Sequence, residues 1–156
     1  MKISREEFER IRTLSIILII APIIYAAVGA YLVFELVDTM SLFQVKQLPP
    51  FTDTNLTLYM ILLLGFAEAF FSTVLSNVIF QRTRTPISAV LGTLVFMEAV
   101  GIFGLLEIFV TILMLDSVIE PAFFVICGFL LIAISAVLMI MYYFTTITKL
   151  TESLNP

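Results

Sequence analysis

Four long apolar runs divide this chain, over residues 13–34, 56–80, 87–115 and 122–144, and the polar residues collect between them and at the two ends. Each run is about as long as the roughly 20 apolar residues that carry a helix across a bilayer. The pattern predicts an all-α integral membrane protein: four transmembrane helices in one domain over residues 1–156, with the middle two forming a central antiparallel hairpin. The breaks have their own chemistry. Residues 1–12, MKISREEFERIR, are a mixed-charge segment against the first run. Pro49-Pro50 blocks a helix in the long loop over 38–55. Gln81 to Pro86 and Asp116 to Pro121 are short turns, and the chain closes on a polar tail with Lys149 and Glu152.

Two local features compete with this division. Val28-Gly29-Ala30 could pass for a signal-peptide cleavage site, but the apolar run is too long for such a leader and continues beyond it, so it reads as a span. Pro22 lies inside that span, where a membrane helix tolerates a kink. Asn55-Leu56-Thr57 matches a glycosylation acceptor too close to the second span to be used, and reads as a chance match.

Composition strengthens the membrane reading. Hydrophobic residues make up 61% of the chain and charged residues 13%, with a mean hydropathy of +1.13. A soluble domain of this size could not bury so much apolar surface. There is one cysteine, Cys127, and no histidine. That excludes an internal disulfide and a cysteine-based metal site, and removes the commonest ligand of zinc and haem. No metal or other cofactor is expected. Without a basic tract, nucleic acid is not an expected partner. No nucleophile–base set or phosphate-binding loop is present, so an enzyme is the weakest functional class.

Charge then orients the chain. With four spans, Lys2, Arg5, Arg10, Arg12, Arg82, Arg84 and Lys149 fall on one side and Lys46 alone on the other. The positive-inside rule puts both termini and the Arg82/Arg84 loop in the cytoplasm of a multi-pass cell-membrane protein.

The candidate chemistry is carboxylate chemistry. Glu68 and Glu98 sit near the middles of the second and third runs, without Lys or Arg beside them. Ionisable groups in such places are costly and mark functional sites by default. Glu68 lies fifteen residues before Thr83 and Glu98 fifteen after it, which in antiparallel helices gives them nearly equal depth. They could then face each other or converge on a third helix. A neutral, hydrogen-bonded acid that loads and releases a proton is the expectation. Ser72, one turn beyond Glu68 on the same face, is a supporting polar residue. Asn77 points away from Glu68 and could bond another helix. Glu107 follows Glu98 by nine residues, which turns it to the opposite side of the helix. Nearer the far interface, it is expected to snorkel or support, in the manner of long side chains at helix ends. Gly101 and Gly104 are candidates for a bend or a close helix contact.

The segment Glu98-Ala99-Val100-Gly101-Ile102-Phe103-Gly104-Leu105-Leu106 resembles the carboxylate-bearing helix of the proteolipid c subunit of rotary F- and V-type ATPases. The short loop with Arg82, Arg84 and Pro86 is similar to the one joining that family's two helices. The middle hairpin also resembles that of small four-helix prokaryotic membrane proteins with a c-like pair. The resemblance covers about a quarter to a third of the chain. It implies that Glu98 binds the transported ion, and a proton rather than sodium, because Ala99 stands where sodium-binding members carry a hydroxyl. The expected function is therefore proton or cation handling through Glu98 and Glu68, within a homo-oligomer or a larger membrane complex. The rival expectation is a non-catalytic assembly or accessory subunit whose glutamates join helices by hydrogen bonds.

Overall fold

The structure, a computed structural model, describes residues 3–36, 47–82 and 86–154. Lys2, Asp38, Lys46, Thr83, Arg84 and the side chains of Asn77, Arg82 and Glu152, all used in the sequence reading, lie outside the described residues. Four helices account for nearly all the rest: α1 (Arg5–Leu36), α2 (Asp53–Arg82), α3 (Pro86–Leu113) and α4 (Pro121–Leu154). All four are long and apolar enough to cross a membrane, and the protein is a multi-pass membrane protein.

Each helix begins where local chemistry provides for its unpaired N–H groups. Ser4 caps α1: its hydroxyl accepts from the Glu7 N–H at 3.1 Å, while Glu7 Oε2 accepts from the Ser4 N–H at 3.0 Å. This is a reciprocal capping box. Thr52 caps α2 by accepting from the Asn55 N–H at 3.2 Å. Prolines open α3 and α4, at the helix position where a missing N–H costs nothing. Pro22 sits within α1 without dividing it.

Three of the helices, α1, α2 and α4, are longer than their apolar runs. α1 starts eight residues before the run and α4 continues ten residues past it. At 1.5 Å per residue the 34 residues of α4 span about 51 Å, so one end stands clear of a hydrocarbon core of ~30 Å. α3 is shorter than its run and closes at Leu113, in a turn where Ser117 and Val118 N–H both donate to the Met114 carbonyl.

α3 is the centre of the assembly. It packs against each of the other helices, most extensively against α4, and α1 and α2 scarcely meet. Its contacts with α1 run in parallel register: Gly101 meets Tyr25, and further along Ile108 meets Gly29. Its contacts with α4 run the other way, Gly104 on Gly128 and Gly101 on Ser135. At one end Phe8 and Ile11 of α1 join Val90 and Leu94 of α3 and Met139 and Leu150 of α4. At the other, Asn55 is fully buried and ties the start of α2 to the turn after α3. Its amide donates to the carbonyls of Pro50 and Ile119, and its carbonyl accepts from the Ile119 N–H. The Asn55-Leu56-Thr57 match thus marks a structural tie. Outside these seams the helices present an apolar coat, as Ile23, Phe34, Phe70, Leu113 and Phe144 show by their exposure.

Candidate functional site: the carboxyls of the central helix

Burial along α3 divides it into faces. Val100 and Phe103 turn towards α2 and α4, Met97 and Gly104 towards α4, and Glu98 with Ile102 towards α1. Glu98 and Glu107 therefore answer to different neighbours, as a spacing of nine residues requires.

Glu98 is half-buried at the seam of α1 and α3. The Tyr25 hydroxyl donates to its Oε1 at 2.6 Å. Such short bonds are typical of charge-assisted or strongly polarised O–H···O pairs. Tyr25 lies in the span opened by the first run and was not among the sequence candidates. Its signal was a tyrosine in the interior of an apolar run, where a hydroxyl needs a partner. On the same helix faces, one turn beyond this pair, Val28 and Leu32 of α1 and Ile102, Leu105, Leu106 and Phe109 of α3 line an apolar groove of about 400 Å³. The pair is thus a polar point in a wholly apolar seam.

Beside it, Ser135 of α4 is fully buried and donates to the carbonyl of Met97, the residue before Glu98, at 2.7 Å. This bond fixes the backbone that carries Glu98. A serine in a charge-free span was the available clue.

Glu68 is half-buried on α2 and, among the described residues, its carboxyl makes no hydrogen bond, to Glu98 or to any other group. Gly65, one turn before it, packs on Phe103 of α3, five residues after Glu98. Of the alternatives open for the two carboxyls, the structure has Glu98 bonded to a third helix, α1. Ser72 is buried as a supporting residue would be, but its hydroxyl donates to the Ala69 carbonyl at 3.0 Å, not to Glu68.

Glu107 corrects the sequence reading. It does not snorkel: its exposure is 0%, and among the described residues neither carboxyl oxygen has a hydrogen-bond partner. It shares its side of α3 with Gly104, one turn before, and with Thr111, one turn after, which donates to the Glu107 main-chain carbonyl at 2.7 Å. The small residues bring α4 close. A Cβ on Gly104 would overlap the Gly128 carbonyl, and one on Gly128 would lie 2.7 Å from the Gly104 carbonyl and 3.4 Å from the Glu107 Cβ. Gly104 is therefore a contact residue with Gly128 as its partner, and α3 runs unbroken through both Gly101 and Gly104. The nine-residue spacing correctly set Glu107 opposite Glu98. What it could not reveal was which of the two sides faced the larger partner. The small residues three before and four after Glu107 were the available signal.

No group of three or more potential metal-binding side chains occurs among the described residues. No protein-family model, curated protein or solved structure matches the chain.

Proposed function

We propose that this chain is a small polytopic protein of the cell membrane that handles protons or cations through intramembrane carboxyls, chiefly Glu98 and secondarily Glu68. The observation that carries this reading is the Tyr25–Glu98 hydrogen bond at 2.6 Å in an otherwise apolar seam. An ionisable group deep in a span is retained against a substantial cost. A hydroxyl that both donates and accepts beside it provides a partner for either protonation state. In this proposal α2 and α3 form an antiparallel c-like hairpin, both termini are cytoplasmic, and copies assemble into a homo-oligomer or with other subunits. A chain this small rarely encloses a transport path alone. No catalytic set belongs to the reading.

The same bond also favours a second reading, in which the protein is an assembly or accessory subunit and Glu98 joins α1 to α3. Glu98→Gln and Glu68→Gln, reconstituted in proteoliposomes, separate the two. The carboxyl reading expects proton or cation flux to fall at least tenfold in Glu98→Gln while the oligomer persists. Unchanged flux in both variants with a weakened complex favours the second reading.

A further inference from the structure

Glu107 is the most deeply buried carboxyl among the described residues, and the reading above does not use it. We propose that Glu107 is a second, occluded proton-binding site, a neutral carboxylic acid enclosed at the crossing of α3 and α4. The proposal deepens the proton-handling reading but stands on separate residues and a separate measurement.

Four observations support it. Exposure is 0%, and both carboxyl oxygens lack a partner among the described residues. The helices approach closely one turn away, with Gly104 and Gly128 in contact. Among the described residues, the ionisable groups on the surrounding elements cannot neutralise an anion. These include Cys127 on α4, within electrostatic range of Glu107, Asp53, Tyr59 and Glu68 on α2, Tyr25, Tyr31 and Glu35 on α1, and Glu98 on the opposite side of α3. Asp116 and Glu120 in the following turn add only negative charge. Arg5, Arg10, Arg12 and Lys149 belong to the other end of the assembly, beside the start of α3.

A buried carboxylate needs a cation or a set of donors. Among the described residues Glu107 has neither, so the group is held as its acid. A metal ion fits poorly as the occupant. The Thr111 hydroxyl is committed to the main chain, and the nearby carbonyls belong to continuous helices. A proton needs a single oxygen and no coordination shell. Taking that proton away leaves an anion in a fully buried position, so release requires α3 and α4 to part at Gly104 and Gly128. Proton occupancy at Glu107 and closure of this crossing are then two aspects of one state.

Infrared spectroscopy of the full chain in phosphatidylcholine–phosphatidylglycerol vesicles tests this through the carbonyl stretch of a neutral carboxylic acid. At neutral pH the wild type is expected to show the band, Glu98→Gln to keep a component of it, and Glu107→Gln to lose that component. Glu107→Leu, close in volume and apolar, is expected to lose it as well while remaining helical and assembled. Persistence of the whole band in both Glu107 variants overturns the proposal. So does its absence from the wild type, or its loss when sodium is added at constant pH. Failure of both variants to fold also overturns it, since a carboxyl without a protein partner should be dispensable for folding. Proton flux does not enter these outcomes, so they remain separate from the fate of Glu98.

Discussion

At the residue scale, α3 carries two glutamates of nearly opposite character. Glu98 is half-exposed and bonded, and Glu107 is enclosed and unbonded. The sequence made their opposition legible but not their ranking, because periodicity gives relative rotation and the identity of the packed side depends on neighbours. Tyr25→Phe removes the donor and keeps the ring. It is expected to cost about 0.6 kcal/mol, and at most ~1.7, the range measured for hydrogen bonds between membrane helices. Reversible unfolding in mild detergent measures this. Loss of coupling in a Tyr25→Phe/Glu98→Gln double-mutant cycle would show that the bond contributes nothing.

Ser4 and Glu7 give a pH prediction outside the spans. Donation by the Ser4 N–H and hydroxyl lowers the Glu7 carboxyl below its ordinary value. A carboxyl lowered in the folded state stabilises above its unfolded value, and that contribution is lost as pH falls through the lowered one. Amides 5–8 are therefore expected to exchange hydrogen faster in acid, relative to the intrinsic rate, than near neutrality. Ser4→Ala, which keeps the backbone donor, should reduce the difference, and Glu7→Gln should abolish it. The Ser-x-x-Glu pattern was readable in the first twelve residues, where the charges drew attention instead.

At the element scale, the existence of all four helices was legible, because runs of more than 20 apolar residues have few alternatives. Their ends were less so. Polar residues beyond an apolar run can continue the same helix, as Thr145 and Thr148 do by donating to carbonyls of the preceding turn. Close approach is where side-chain size decides the outcome. Gly104→Val introduces a side chain against the Gly128 carbonyl, and is expected to cost about 1–3 kcal/mol as overpacking. Gly92, also on α3, has nothing within 4 Å of a Cβ. Gly92→Ala should be neutral, or stabilising by up to ~1 kcal/mol through helix propensity. Thermal unfolding of the two variants side by side checks both; equal behaviour would remove the special status of the α3–α4 crossing.

At the scale of the whole molecule, basic residues gather at one end. Arg5, Arg10 and Arg12 open α1, Lys149 is close to the end of α4, and Arg82 ends α2 only four residues before α3 begins. The proposed orientation follows from this bias. In a Cys127→Ser background, Ser4→Cys is expected to react with a membrane-impermeant maleimide only after the cytoplasmic side is opened, and Thr52→Cys to react from outside. The reverse pattern would invert the topology. The bias was fully visible in the sequence, whereas the central place of α3 was not, since all four runs are comparably apolar and only contacts distinguish hub from flank.

The most direct test of the central claim is proton flux across vesicles containing the purified chain, followed with an internal pH dye under an imposed potential. The account predicts flux above empty vesicles in the wild type and at least a tenfold reduction in Glu98→Gln at equal protein density. Equal flux in the wild type and Glu98→Gln, or wild-type flux no greater than in empty vesicles, would contradict it.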